Sequence, residues 1–134
     1  MTRLADVAEH EAAHIVVGLA LRLPFKAARL GEERWRNLTI LGYTWFGGRC
    51  HIAHGVAACA GIVWERRPGG RPDAAAGDRR LARENLRTRA GIETGCRLAA
   101  EILSRRRGIL EIVARELCDR DLGPAELAEM VLGE

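Results

Sequence analysis

A single lysine stands against twenty arginines, and only six aromatic side chains are spread over the 134 residues. So few rings exclude a core of stacked aromatics. The apolar half of the composition is mostly Ala, Leu, Ile and Val, which favours helices. No stretch offers the roughly 18 uncharged apolar residues that a membrane-spanning helix needs. Asp6, Glu9 and Glu11, ahead of the first apolar run, do not resemble a secretory leader. The expectation is a cytoplasmic chain without a membrane segment. Cys50, Cys59, Cys96 and Cys118 form no Cys-x-x-Cys pair, which excludes a zinc ribbon and leaves free thiols as the default. Cys59, between Ala58 and Ala60, reads as a small core residue.

The net charge of +3 is unevenly placed: eight arginines fall between Arg66 and Arg89, whereas seven acids follow from Glu111 onward. An arginine-rich face can bind nucleic acid. Here no aromatic residues interleave with the arginines, so solvated helix faces are expected instead and nucleic acid is not an expected partner. The length fits one domain, residues 1–134, with a core of its own.

What is present is concentrated in Glu9-His10-Glu11-Ala12-Ala13-His14, a His-Glu-x-x-His pattern inside a segment that reads as helix. Residues four apart on a helix differ by about 40° around the axis and about 6 Å along it. His10 and His14 therefore project from one face and can hold one metal ion through their imidazoles. Glu11 lies on the flank, placed to polarise a water without being a ligand. From Ala12 to Leu21 the only polar side chain is His14, so this helix must be buried on nearly all sides. A buried histidine needs a hydrogen-bond partner or a metal.

In chain order, a first helix opens at Thr2 or an equivalent residue and stops at about Leu21, before Pro24. Phe25–Leu30, a charged turn at Gly31–Arg34 and the β-branched, aromatic run Asn37–Phe46 predict a small antiparallel sheet of two or three strands between Phe25 and Cys50. His51–Arg67 predicts a helix with Ile52, Val56, Cys59, Ile62 and Val63 on one side. Glycines 55 and 61 would allow close packing. Pro68–Pro72 is a loop. Asp73–Arg89 reads as a charged helix with Leu81, Ala82 and Leu86 inward, broken by Gly91. Ile92–Asp119 is one helix, or two with a bend near Gly108, using Leu98, Ile102, Leu103, Leu110, Ile112, Val113 and Leu117. Pro124 opens a last short helix sealed by Leu127, Met130 and Val131. The fold class is mainly α (α+β), with the small sheet between the first and second helices.

A catalytic zinc takes three protein ligands and keeps one position for water. A metzincin third histidine is excluded, because Val17 and Ala20 stand where Gly and His would be needed. His51 and His54, at a strand-to-helix junction, suit capping or packing. Glu65 would suit a thermolysin-like site but is equally placed to pair with an arginine. Asp78, preceded by a glycine on the small-residue side of a charged helix, is favoured modestly over Glu65 and Asp73.

The first motif, followed by its apolar run, resembles the peptidase domain of the FtsH-type ATP-dependent zinc metalloproteases, where it is typically H-E-A-G-H. Ala60-Gly61-Ile62-Val63-Trp64-Glu65 is similar to that family's A-G-x-x-A-E helix. Asp78 with Ala82 is similar to its D-x-x-x-A segment, and Leu117 with Leu122-Gly123-Pro124-Ala125-Glu126-Leu127 to its closing pattern. Ala13 departs from the usual glycine, and the chain is shorter than that peptidase domain. The resemblance implies a helical, zincin-like zinc metallopeptidase: His10, His14 and Asp78 as Zn2+ ligands, Glu11 as general base, and a protein or peptide as substrate. No G-x-x-x-x-G-K-[ST] loop is present, and Lys26 lacks the glycines of one. Substrate would then arrive as accessible segments, or from a separate ATPase or adaptor partner. The strand around Leu38–Thr44 could hold an extended peptide. The competing expectation is a catalytically silent scaffold of the same kind, acting as a binding or regulatory module.

Overall fold

The computed structural model describes residues 3–35, 38–68 and 76–132. The expected start at Thr2, the Gly69–Pro72 part of the loop and the candidate ligand Asp73 lie outside them. Six helices and one hairpin follow in order: α1 (Arg3–Ala20), β1 (Phe25–Trp35), β2 (Leu38–Phe46), α2 (His51–Glu65), α3 (Ala76–Leu86), α4 (Arg89–Arg105), α5 (Arg107–Asp119) and α6 (Pro124–Leu132). The chain is mainly helical, as its composition led one to expect, and the small antiparallel sheet expected between Phe25 and Cys50 has two strands. No helix among the described residues is long and apolar enough to cross a membrane.

α1 is the centre. Glu11 to Gly18 are buried without interruption, because α2, α4, α5 and both strands pack around it. The hairpin lies along α1 in a regular way. Alternate residues of β2 face the helix: Phe46 presses on Gly18, Thr44 meets Glu11, and Gly42 sits against Val7. The residues between them, Tyr43 and Trp45, are consequently exposed. Phe25 and Phe46 close the foot of the hairpin edge-to-face, ring centroids 5.6 Å apart. The outer edge of β1 is partly covered by a two-bond bridge between Ala28 and Leu122.

Several expectations are corrected. Gly31–Arg34 is not a turn but part of β1. Leu30 pairs with Gly42 and Glu33 with Ile40, so two residues oppose one, and the surplus is taken up as a bulge in which Gly31 adopts φ 146°. Gly91 does not break a helix. The break comes earlier, at Arg87 (φ 63°), and Thr88 then caps α4 by accepting the Gly91 N–H at 2.9 Å. The bend expected near Gly108 falls at Arg106, which ends α4 and begins α5.

Ile52, Leu81 and Leu98 are exposed rather than inward. The buried phase of α4 runs through Gly95, Cys96, Ala99 and Leu103, and that of α2 through Ala53, Val56, Ala57 and Ala60. Small residues let these helices approach closely, so the larger ones are rotated outward. Leu110, Val113 and Leu117 of α5 and Leu127 of α6 are buried as their spacing requires. All four cysteines are free. Cys59 is fully buried, and burial, reinforced by the neighbouring Cys96, pushes its thiol up to about 12.

Candidate metal centre

Helical spacing puts His10 and His14 one turn apart on α1, and the structure brings Asp78 of α3 to them across 68 and 64 positions of sequence. His10 Nε2 lies 2.9 Å from Asp78 Oδ2, His14 Nε2 lies 3.2 Å from Asp78 Oδ1, and the two Nε2 atoms are 3.2 Å apart. A tetrahedral zinc with bonds of about 2.0–2.1 Å keeps its ligand atoms roughly 3.3 Å apart, close to the 3.2 Å between the two imidazole nitrogens, while the carboxylate turns a different oxygen to each histidine. These three residues form the one His/Cys/Asp/Glu group among the described residues that could hold a metal ion, their ligand atoms all within 4.8 Å of one another.

The surroundings fit the same reading. His14 Nδ1–H donates to the Ala57 carbonyl at 2.8 Å, which fixes the tautomer and leaves Nε2 facing Asp78. Gly61, one turn beyond Ala57 on α2, has no side chain because there is no room for one. A Cβ there would stand 2.0 Å from Asp78 Oδ2 and 2.9 Å from His14 Cε1. Another turn along the same stripe, buried Glu65 grips Arg79, the residue after the Asp78 ligand candidate. α2 thus supplies a carbonyl acceptor, a bare backbone and a carboxylate anchor in steps of four, and all three serve the donors on α1 and α3. Arg67, two residues past the end of α2, stacks over Trp64 with 4.4 Å between guanidinium carbon and ring centroid. It also reaches Asp6 and Glu9 of α1 at 3.5 and 3.4 Å.

Electrostatics bind the cluster together. Burial alone would lower the pKa of His14, but the charge and hydrogen bond of Asp78 outweigh it. Glu11 and the Ala57 carbonyl add to them, and the value rises to about 9. Burial likewise opposes ionisation of Asp78, yet the charge of His14 and the hydrogen bonds from both imidazoles hold its carboxyl well below the usual carboxylate range. Without a metal the cluster is therefore held by an ion pair between the His14 imidazolium and the Asp78 carboxylate. Such a deprotonated carboxylate beside two imidazoles is also the donor chemistry a borderline divalent cation selects.

Glu11 is buried, and its Oε1 accepts a hydrogen bond from Thr44 Oγ1 at 2.9 Å. Of the other candidates, Glu65 is drawn to Arg79 rather than to the histidines. His51 bonds Asn85 Oδ1 at 3.1 Å and His54 donates to the Gly48 carbonyl at 3.0 Å, so both perform local packing roles at the start of α2. Three contributors escaped the sequence reading: the Ala57 carbonyl, Thr44, and Gly61 in its specific role. Only Gly61 left a signal, a glycine at helix centre flanked by apolar residues. No protein-family model matches the chain, and no curated protein or solved structure gives a significant match to it either.

Proposed function

We propose that the chain is a zinc metallopeptidase of the kind its motifs resemble, an FtsH-like, zincin-like peptidase domain. The observation that carries this reading is the meeting of Asp78 with His10 and His14. The same carboxylate that the resemblance marks as third ligand comes within hydrogen-bonding distance of both imidazoles. Three donors leave room for a substrate, whereas a structural zinc is more often closed by four. When bound, the zinc would supply Lewis acidity toward a water molecule and the scissile carbonyl.

The chain's own residues supply the rest. His10, His14 and Asp78 would hold the metal. Glu11, one residue along from a ligand and not itself one of the group, takes the proton of the attacking water and hands it to the leaving amine. Among the described residues β2 pairs only with β1, and Thr44 of that strand touches Glu11, so the strand runs beside the site. An extended segment of an unfolded or flexible protein would add to that strand through main-chain hydrogen bonds. A separate ATPase or adaptor would be needed for substrates that are folded.

The test is metal content followed by hydrolysis. Protein purified without chelator should carry close to one zinc per chain and cleave an unfolded protein. Glu11→Gln should keep the zinc and lose about 100-fold or more in rate. A zinc-loaded wild type that cleaves no unfolded protein at all would support the silent scaffold instead.

A further inference from the structure

We infer that Thr44 is a positioning residue for Glu11, an inference that rests on the hydrolase reading above. Thr44 stands two residues from the end of β2, and the strand's alternation turns its side chain inward onto α1, between the contacts of Phe46 with Gly18 and Gly42 with Val7. Strand propensity and packing at this position are met equally by valine, which has the same branching and nearly the same size. What threonine adds is a hydroxyl. Its Oγ1 stands 2.9 Å from Glu11 Oε1 and 3.3 Å from the Glu11 backbone carbonyl, so the one hydroxyl proton is directed at the carboxylate with the carbonyl as a weaker second acceptor.

The bond does two things to Glu11. It fixes the side-chain torsions of a long, otherwise rotatable carboxylate inside a buried setting. It also makes the two oxygens unequal: Oε1 accepts the Thr44 hydroxyl, whereas Oε2 has no hydrogen-bond partner among the described residues. Oε2 is thus the oxygen kept for the proton of the attacking water. A base held this way begins its reaction already oriented, and misplacement by a fraction of an ångström is costly in rate. Thr44 touches neither substrate nor metal ligand in this arrangement, and its effect passes entirely through Glu11. The hairpin that would align a peptide therefore also sets the base, and the two functions share one strand.

The experiment compares zinc-loaded wild type, Thr44→Val and Thr44→Ser on an unfolded protein substrate. Thr44→Val should lower kcat about tenfold, the loss of one hydrogen bond to a charged group, with KM and zinc affinity unchanged. Thr44→Ser should restore most of the rate, because it returns the hydroxyl and not the methyl. A readout independent of activity is a stability cycle on the zinc-loaded protein with Thr44→Val, Glu11→Ala and the double variant. Non-additive losses support the anchor. Additive losses, or a Thr44→Val enzyme as fast as wild type, overturn it while leaving the hydrolase reading intact. A wild type that hydrolyses nothing, with the cycle still coupled, sinks the hydrolase reading and leaves Thr44 as the anchor of Glu11.

Discussion

α1 and α3 deliver donors to the same point under different physics. On α1, His10 and His14 are held one turn apart by backbone hydrogen bonds alone, and the helix is so deeply buried that its orientation is fixed by packing from every side. α3 is a charged helix, with Leu81, Arg79 and Arg80 exposed, and its apolar packing among the described side chains comes from Ala82 and Leu86. Its placement depends on α2, through the bare Cα of Gly61 and the Glu65–Arg79 pair. The ligand pair on α1 is therefore robust to changes elsewhere, whereas the ligand on α3 is only as well placed as the helix–helix interface that carries it.

The largest expected effect comes from closing that interface. Gly61→Val would thrust side-chain atoms into the space of Asp78 Oδ2 and His14 Cε1, since even a Cβ would come within 2.0 Å of the former. Zinc affinity should fall by more than about 100-fold and stability by about 1–3 kcal/mol, measured by chelator competition and by denaturant unfolding. Retention of tight zinc binding by a folded Gly61→Val protein would break the contrast between the two helices.

Next in size is Asp78→Ala, which leaves the helical pair intact and removes the non-local ligand. A loss of about 100-fold in zinc affinity is expected, with residual binding through His10 and His14, read by isothermal titration. If His14→Ala and Asp78→Ala cost the same, the two donors contribute alike despite their different supports.

A third expectation concerns pH. In metal-free protein the raised pKa of His14 contributes stability that is complete below its unfolded value of 6.5 and fades as pH rises through about 9. The lowered pKa of Asp78 contributes stability present above 3.8 and lost as pH falls below it. Chelated protein should thus be helped most by this cluster between those two values, 3.8 and 6.5. Zinc requires neutral imidazole, so its affinity should climb from pH 6.5 toward 9 with release of a proton, the opposite trend. Thermal unfolding across pH, with and without zinc, separates the two curves.

The smallest effect belongs to the outer faces. Arg89 and Glu93 form an i,i+4 pair whose side chains are 94% and 64% exposed. Arg89→Ala should leave the midpoint of unfolding within about 2 °C and zinc binding untouched, because water screens such pairs.

The histidine pair was legible because helical geometry is local: four residues apart means one turn, whatever the rest of the chain does. The buried character of α1 was legible for the same reason, from an unbroken apolar run. The hairpin was legible as β-branched and aromatic residues, but not its bulge, since Gly31-Glu32-Glu33-Arg34 has the composition of a turn and only the pairing partner shows otherwise. The inward faces of α2 and α4 were misjudged at Ile52 and Leu98 because small residues, rather than large ones, make the tight contacts there.

By itself, then, the sequence determined that one helix carries two imidazoles and a carboxylate on adjacent faces, in a mainly helical chain with a small sheet. The tertiary structure alone decided that Asp78 joins them while Glu65 turns to Arg79, and that Thr44 reaches Glu11. The reason is range. Backbone hydrogen bonds set the first arrangement within a single turn, whereas the second depends on where packed side chains allow distant helices and a strand to come to rest.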